Sequence, residues 1–169
     1  MAVDEDPPPP APGAPASVNG YDVMFLQMMV PHLEQGQSIL RLAKDRAGED
    51  RVRTLAASIE STQAGEISTM SGLLRDWHQS ATAPVNAHSG HGGMPNTTDR
   101  ELATLGRMSG PDFDHRFLNA MIAHQDDAIQ LSKVETVDGT DQRIKSLAES
   151  IDRTRTVQIH QMLAILGPA

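Results

Sequence analysis

Apolar positions fall on one helical face in four separate stretches of the chain. In the first, Phe25, Met29, His32, Gly36, Ile39 and Ala43 step by four and three residues, the spacing of an amphipathic α-helix rather than the alternation of a strand. Gly48 predicts a stop and Asp50 a cap for the next helix. The stripe of that second helix runs Val52, Leu55, Ile59, Thr62, Glu66, Met70, Leu73, Trp77. The same pair of stripes returns at a constant offset of 92 residues, without a gap from residue 22 to residue 74. Identical pairs include Asp22/Asp114, Phe25/Phe117, Leu26/Leu118, Met29/Met121, His32/His124, Leu55/Leu147, Ile59/Ile151, Ile67/Ile159 and Met70/Met162. Self-similarity of this kind marks the duplication of one supersecondary unit, and the second copy turns around Gly139.

Short turns make the helices of each pair antiparallel neighbours, and two such hairpins predict an all-α four-helix bundle. The expected organisation is an arm over 1–18, hairpin one over 19–78, a connection over 79–110 and hairpin two over 111–169, in one compact domain. Six of the 11 prolines lie in the first 15 residues, which predicts a disordered or polyproline spacer for the arm. The connection is rich in Gly, Pro, Asn and Ser, but Thr98 and Glu101 have capping-box spacing and predict a short helix over 98–105. Its length permits the hairpins to pack either parallel or antiparallel.

The stripes are interrupted by polar residues at matching heights. His32 and His124 occupy core positions in the first helix of each repeat, Glu66 and Gln158 in the second. Met29, Met70, Met121 and Met162 fall about one turn away. One predicted layer thus holds two imidazoles, a carboxylate and an amide, flanked by four thioethers. A buried carboxylate needs a partner or a cation. Thioether with imidazole suits Cu(I), and carboxylate with imidazole suits Zn, Fe or Cu(II). The bland alternative is a hydrogen-bonded layer that fixes helix register, with methionine as adaptable core filler. Pro31 stands beside His32 and predicts a kink there. A second candidate set, His88, His91 and Met94, lies on the glycine-rich connection and suits the capture of a soft ion.

Composition narrows the function classes. A net charge of -8 excludes nucleic acid as a partner. The absence of cysteine removes thiolate nucleophiles, thiolate metal sites and disulfides. No apolar run is long enough to span a membrane. There is no Glu-x-x-His pair of the di-iron kind and no nucleophile elbow, so an enzyme is not expected.

The pattern Asp-x-x-Phe-Leu-x-x-Met-(Val/Ile)-x-His, followed by Leu-Ala-x-x-Ile and Ile-x-x-Met, resembles the domain of unknown function family 305, over roughly residues 20–166. The resemblance implies a ferritin-like four-helix fold, kinship with the CopM-type copper-binding proteins and export from the cell. It also implies a second histidine where this chain has Leu33 and Gln125. The family's Gln-x-x-Glu survives as Gln63–Glu66 but becomes Arg155–Gln158 in repeat two, where Arg155 is placed to neutralise Glu66. The expectation is a secreted or cell-surface copper buffer or chaperone, with a metal ion as partner and no membrane insertion. The alternative is a metal-free helical binding or scaffold domain. Leu40, Leu42 and Leu74 leave a homodimer or protein partner open.

Overall fold

The computed structural model describes residues 12–83 and 97–168. These residues form five helices: α1 (Gly20–Arg46), α2 (Asp50–Asp76), α3 (Asp99–Arg107), α4 (Gly110–Asp138) and α5 (Gln142–Leu166). The two hairpins α1–α2 and α4–α5 are the sequence repeats, and α3 is the short helix of the connection. Helix starts follow from local chemistry. Asn19 and Asp22 form a reciprocal capping box on α1, Asp141 accepts the N–H groups of Arg143 and Ile144 on α5, and Pro111 opens α4. Only half of the box expected on α3 forms. Thr98 accepts the Glu101 N–H, but the Glu101 carboxylate turns to Arg116, 2.8 Å away through both oxygens. α1 continues unbroken through Pro31.

The hairpins meet through α1 and α4, whereas α2 and α5 scarcely touch. Two aspartates fix the direction of that contact. Asp22, at the start of α1, accepts the backbone N–H groups of Thr140 and Asp141 in the α4–α5 turn, each at 3.1 Å. Its repeat mate Asp114, near the start of α4, accepts those of Gly48 and Glu49 in the α1–α2 turn, each at 2.9 Å. Each carboxylate thus satisfies amides that a helix start leaves without partners. α1 and α4 therefore run antiparallel, and a pseudo-twofold axis relates the hairpins. The cap expected from Asp50 is not used; Glu49 is the N-cap and makes no side-chain bond there, because the opposite hairpin supplies the acceptor.

Antiparallel packing divides the apolar core in two. One cluster joins the first half of α1 to the end of α2, the end of α4 and the start of α5, with Phe25, Leu26, Leu33, Leu74, Trp77 and Ile151 among its members. The other gathers the opposite ends, with Ile39, Leu40, Ile59, Phe113 and Phe117, and Leu105 of α3. Leu40 and Leu74 thus belong to the core of the monomer. The first-helix stripe is buried as expected. On α2 the buried line runs Val52, Ala56, Ile59, Gln63, Met70, Leu74 and Trp77, while Thr62 is exposed and Leu55 and Leu73 are half-buried. Both lines have helical spacing. The contact with α1 selects the one carrying alanine, and puts Gln63 rather than Thr62 inside.

Residues 12–19 cross the end of the bundle that carries Trp77. Gln79 donates to the Pro12 carbonyl, Val18 is buried, Ser17 donates to Asp141 and Asn19 to the Asp138 carbonyl.

Candidate functional site

Between the two apolar clusters lies the polar layer, with His32 and His124 at its centre. Their rings stack face to face, with centroids 3.8 Å apart and planes inclined by 11°. His32 Nε2 lies 2.9 Å from the carbonyl oxygen of His124. A carbonyl only accepts, so this nitrogen carries the proton. The lone pair of neutral His32 is then at Nδ1, which is buried without a partner, as is Nε2 of His124. Burial lowers the His32 pKa to about 4, with the nearby Arg155 charge adding to it against the bond to the His124 carbonyl. Burial likewise takes His124 down to about 2, with the charges of His32 and Arg155 adding. Both rings are neutral at pH 7.

Gly36 makes room for this arrangement. A Cβ at residue 36 would stand 2.9 Å from Gln63 Oε1 and 3.1 Å from His124 Cε1, and nearer still to His124 Nε2. The repeat mate of Gly36 is Ala128, so the two sides of the layer are not equivalent. Gly36→Ala is expected to lower stability by about 1–3 kcal/mol through overpacking, outweighing the helix propensity gain of about 1 kcal/mol. Urea denaturation against Gly65→Ala is the check. Gly65 also lies in a helix but has nothing within 4 Å of its would-be Cβ, so that variant shows the propensity gain alone.

Around the rings the polar groups form two unlike arms. On one, Gln63 donates to Gln125 at 3.2 Å, and Gln125 donates to Gln158. On the other, the wholly buried Arg155 grips both oxygens of Glu66 through its two terminal nitrogens. A pseudo-twofold pairing would match Gln63 with Gln158 as Arg155 matches Glu66, and Gln125 bridges the gap on the amide side. The neutralisation of Glu66 by Arg155 expected from sequence is present. Gln125 and Leu33, at the positions where the resemblance implies second histidines, differ in role. Gln125 joins the amide chain and Leu33 lies in an apolar cluster.

The four methionines are wholly buried but divide between the clusters, Met29 and Met70 in one and Met121 and Met162 in the other. Because α1 and α4 are antiparallel, one turn before His32 and one turn before His124 lead to opposite ends of the bundle. His88, His91 and Met94 lie outside the described residues. Among the described residues, no three His, Asp or Glu side chains are placed to share a metal ion. Nor is any helix long and apolar enough to cross a membrane. The burial of Gln63 and the bridging role of Gln125 were not evident from the sequence. The buried line on α2 and the amide beside His124 were the signals available.

These features define an all-α bundle made of a duplicated hairpin with a polar, histidine-bearing waist. The chain matches the family model "Domain of unknown function (DUF305)" over residues 22–166 and belongs to that family. No curated protein matches it. Among solved structures it is similar to a DUF305 protein of Streptomyces coelicolor provisionally designated as secreted (TM-score 0.80, 26% identity, covering 86% of this chain and 90% of that one). It is also similar to a DUF305 fragment from Deinococcus radiodurans (TM-score 0.77, 25% identity, 93% and 99% covered). CopM in its Cu(II)-bound form is similar as well, with TM-score 0.70, 26% identity and 83% and 92% covered.

Proposed function

We propose that this protein is a non-enzymatic copper-binding protein that works outside the cytoplasm as a buffer or chaperone, with His32 and His124 holding the ion between the hairpins. The observation that carries the reading is the pair of neutral, buried, repeat-equivalent imidazoles, each with a ring nitrogen left without a partner. Such atoms are costly to bury unmet, and a neutral ring is the form a metal takes. Similarity to copper-bound CopM supports the choice of ion. Lone pairs lie in the ring planes, so stacked rings do not converge on one point. For both nitrogens to reach one ion, His32 would turn out of the stack and give up its bond to the His124 carbonyl.

The layer favours the monovalent ion. Glu66 is committed to Arg155, which leaves no free carboxylate to balance a dication, and the cost of burying charge climbs steeply with its magnitude. The methionine pairs on either side are soft donors of the kind Cu(I) prefers. In this reading His88, His91 and Met94 capture the ion and pass it inward. Export is supported by the designation of the Streptomyces relative.

The test is titration of the metal-stripped protein with Cu(I) against a competing chelator, with Cu(II) and Zn(II) in parallel. The proposal expects stoichiometric Cu(I) uptake that weakens sharply in the double variant His32→Gln, His124→Gln, and more mildly when His88, His91 and Met94 are replaced. Uptake unchanged in the double variant overturns the core site. The Arg155–Glu66 pair favours a second reading, a metal-free helical module whose layer only sets register. That reading expects no stoichiometric uptake by the folded protein.

A further inference from the structure

The pseudo-twofold axis relates the two ends of the bundle, yet at one of the buried positions where they differ the change introduces an ionisable group. Where the end capped by Asp114 has Ala43, the end capped by Asp22 has Glu135. Glu135 is 1% exposed, and no donor meets either of its carboxyl oxygens. It packs so closely on residue 139 that any Cβ there would collide with both its carboxyl and its backbone oxygen, the latter at 2.7 Å. The group facing it from α1 is Asp22, wholly buried, which already accepts hydrogens from Asn19, Thr140 and Asp141. As a carboxylate Glu135 has nothing to bond; as an acid it donates to Asp22. The other charged groups facing it are Asp141, at the head of α5, and Lys145 one turn along that helix. Asp141 is engaged by Arg143 and by Ser17.

The same turn anchors the N-terminal segment. Ser17 donates to Asp141 at 2.6 Å, the Thr140 hydroxyl donates to the Ser17 carbonyl at 2.8 Å, and Asn19 donates to the Asp138 carbonyl at 2.8 Å. Val18 and Ala14 pack in the cluster that holds Trp77. We propose that Glu135 and Asp22 form a proton-dependent latch. With the proton in place, their hydrogen bond holds the α4–α5 turn and residues 12–19 onto the bundle; its loss puts two negative charges in one buried site and releases the segment from Trp77. Burial pushes the Glu135 carboxyl up to about 9, the bond to Asp22 and the charges of Asp22 and Asp141 adding to it and Lys145 opposing. The latch is therefore closed at neutral pH and opens in alkali. It is independent of copper binding.

Trp77 is the single tryptophan and reports on this end directly. Its emission is followed in the full chain from about pH 6 to about pH 10, below and around the range where tyrosine ionises, with far-ultraviolet circular dichroism alongside. The wild type is expected to shift to the red around pH 9 while its helix signal holds. Glu135→Gln, which cannot ionise, and Glu135→Ala, which copies the other half of the molecule, are expected to lose that transition. If one variant does not fold, the other decides. A wild type with no transition overturns the latch, as does one whose helix melts together with the shift, or a transition that persists in the variants.

Discussion

Arg155→Leu is expected to cost about 3–5 kcal/mol, because removing one partner of a buried pair strands the other charge. Arg155 is wholly buried and the Glu66 side chain is 14% exposed, so Glu66 regains only part of its hydration when its partner goes. The loss then falls toward the lower end of that range. Adding Glu66→Leu removes the stranded carboxylate and is expected to restore most of the stability, since a well-packed apolar pair is often as stable as the ion pair it replaces. Urea denaturation of the two single variants and the double gives the coupling energy. A loss below about 1 kcal/mol for Arg155→Leu, typical of a surface pair, contradicts the description of the waist as a buried ion pair.

Stability is expected to peak near pH 6.5 among the contributions of His32, His124 and Glu135. The histidine pKa values are lowered from 6.5 to about 4 and about 2 in the fold, so between those limits the unfolded chain binds protons that the folded chain does not. Their stabilisation is complete above pH 6.5 and is lost as pH falls through the folded values. Glu135 acts in the opposite sense. Its pKa is raised from 4.5 to about 9, so its contribution is complete below pH 4.5 and lost as pH rises toward 9. Each group changes stability by at most about 1.4 kcal/mol per pH unit. Between pH 4.5 and 6.5 the two histidines outweigh the one glutamate, and above 6.5 only the glutamate acts. Urea midpoints across this range are expected to fall on both sides of the maximum, with Glu135→Gln flattening the alkaline limb alone. A midpoint that rises steadily to pH 9 contradicts these assignments.

The sequence carries most of the architecture because a repeat exposes its own register. Phe25, Met29, His32 and Ile39 recur as Phe117, Met121, His124 and Leu131, and a face that recurs is a face that packs. The relative direction of the hairpins was not legible, since the long connection allows either. Its determinants, Asp22 and Asp114, were visible as an identical pair, but an aspartate beside an apolar stripe gives no hint that it caps the opposite hairpin. The histidine pair was legible and so was the partner of Glu66, because a buried carboxylate demands a cation and Arg155 sits at the right height. The division of the methionines was not, because it depends on the antiparallel crossing. Gln63 was missed because polarity hides a core position. Glu135 was missed because its repeat mate is an alanine.

The central claim is that His32 and His124 share a copper ion, and long-range ¹⁵N–¹H spectra of the imidazole rings test it most directly. They are recorded on the metal-stripped protein and again after one equivalent of Cu(I) under anaerobic, reducing conditions. In the metal-free protein the account predicts neutral rings, with the His32 proton on Nε2. With copper it predicts a coordination shift at one nitrogen of each of these two rings and loss of the His32 bond to the His124 carbonyl. Both ring spectra unchanged by Cu(I), whether the ion binds elsewhere or not at all, would contradict it and leave the waist of the bundle a structural layer.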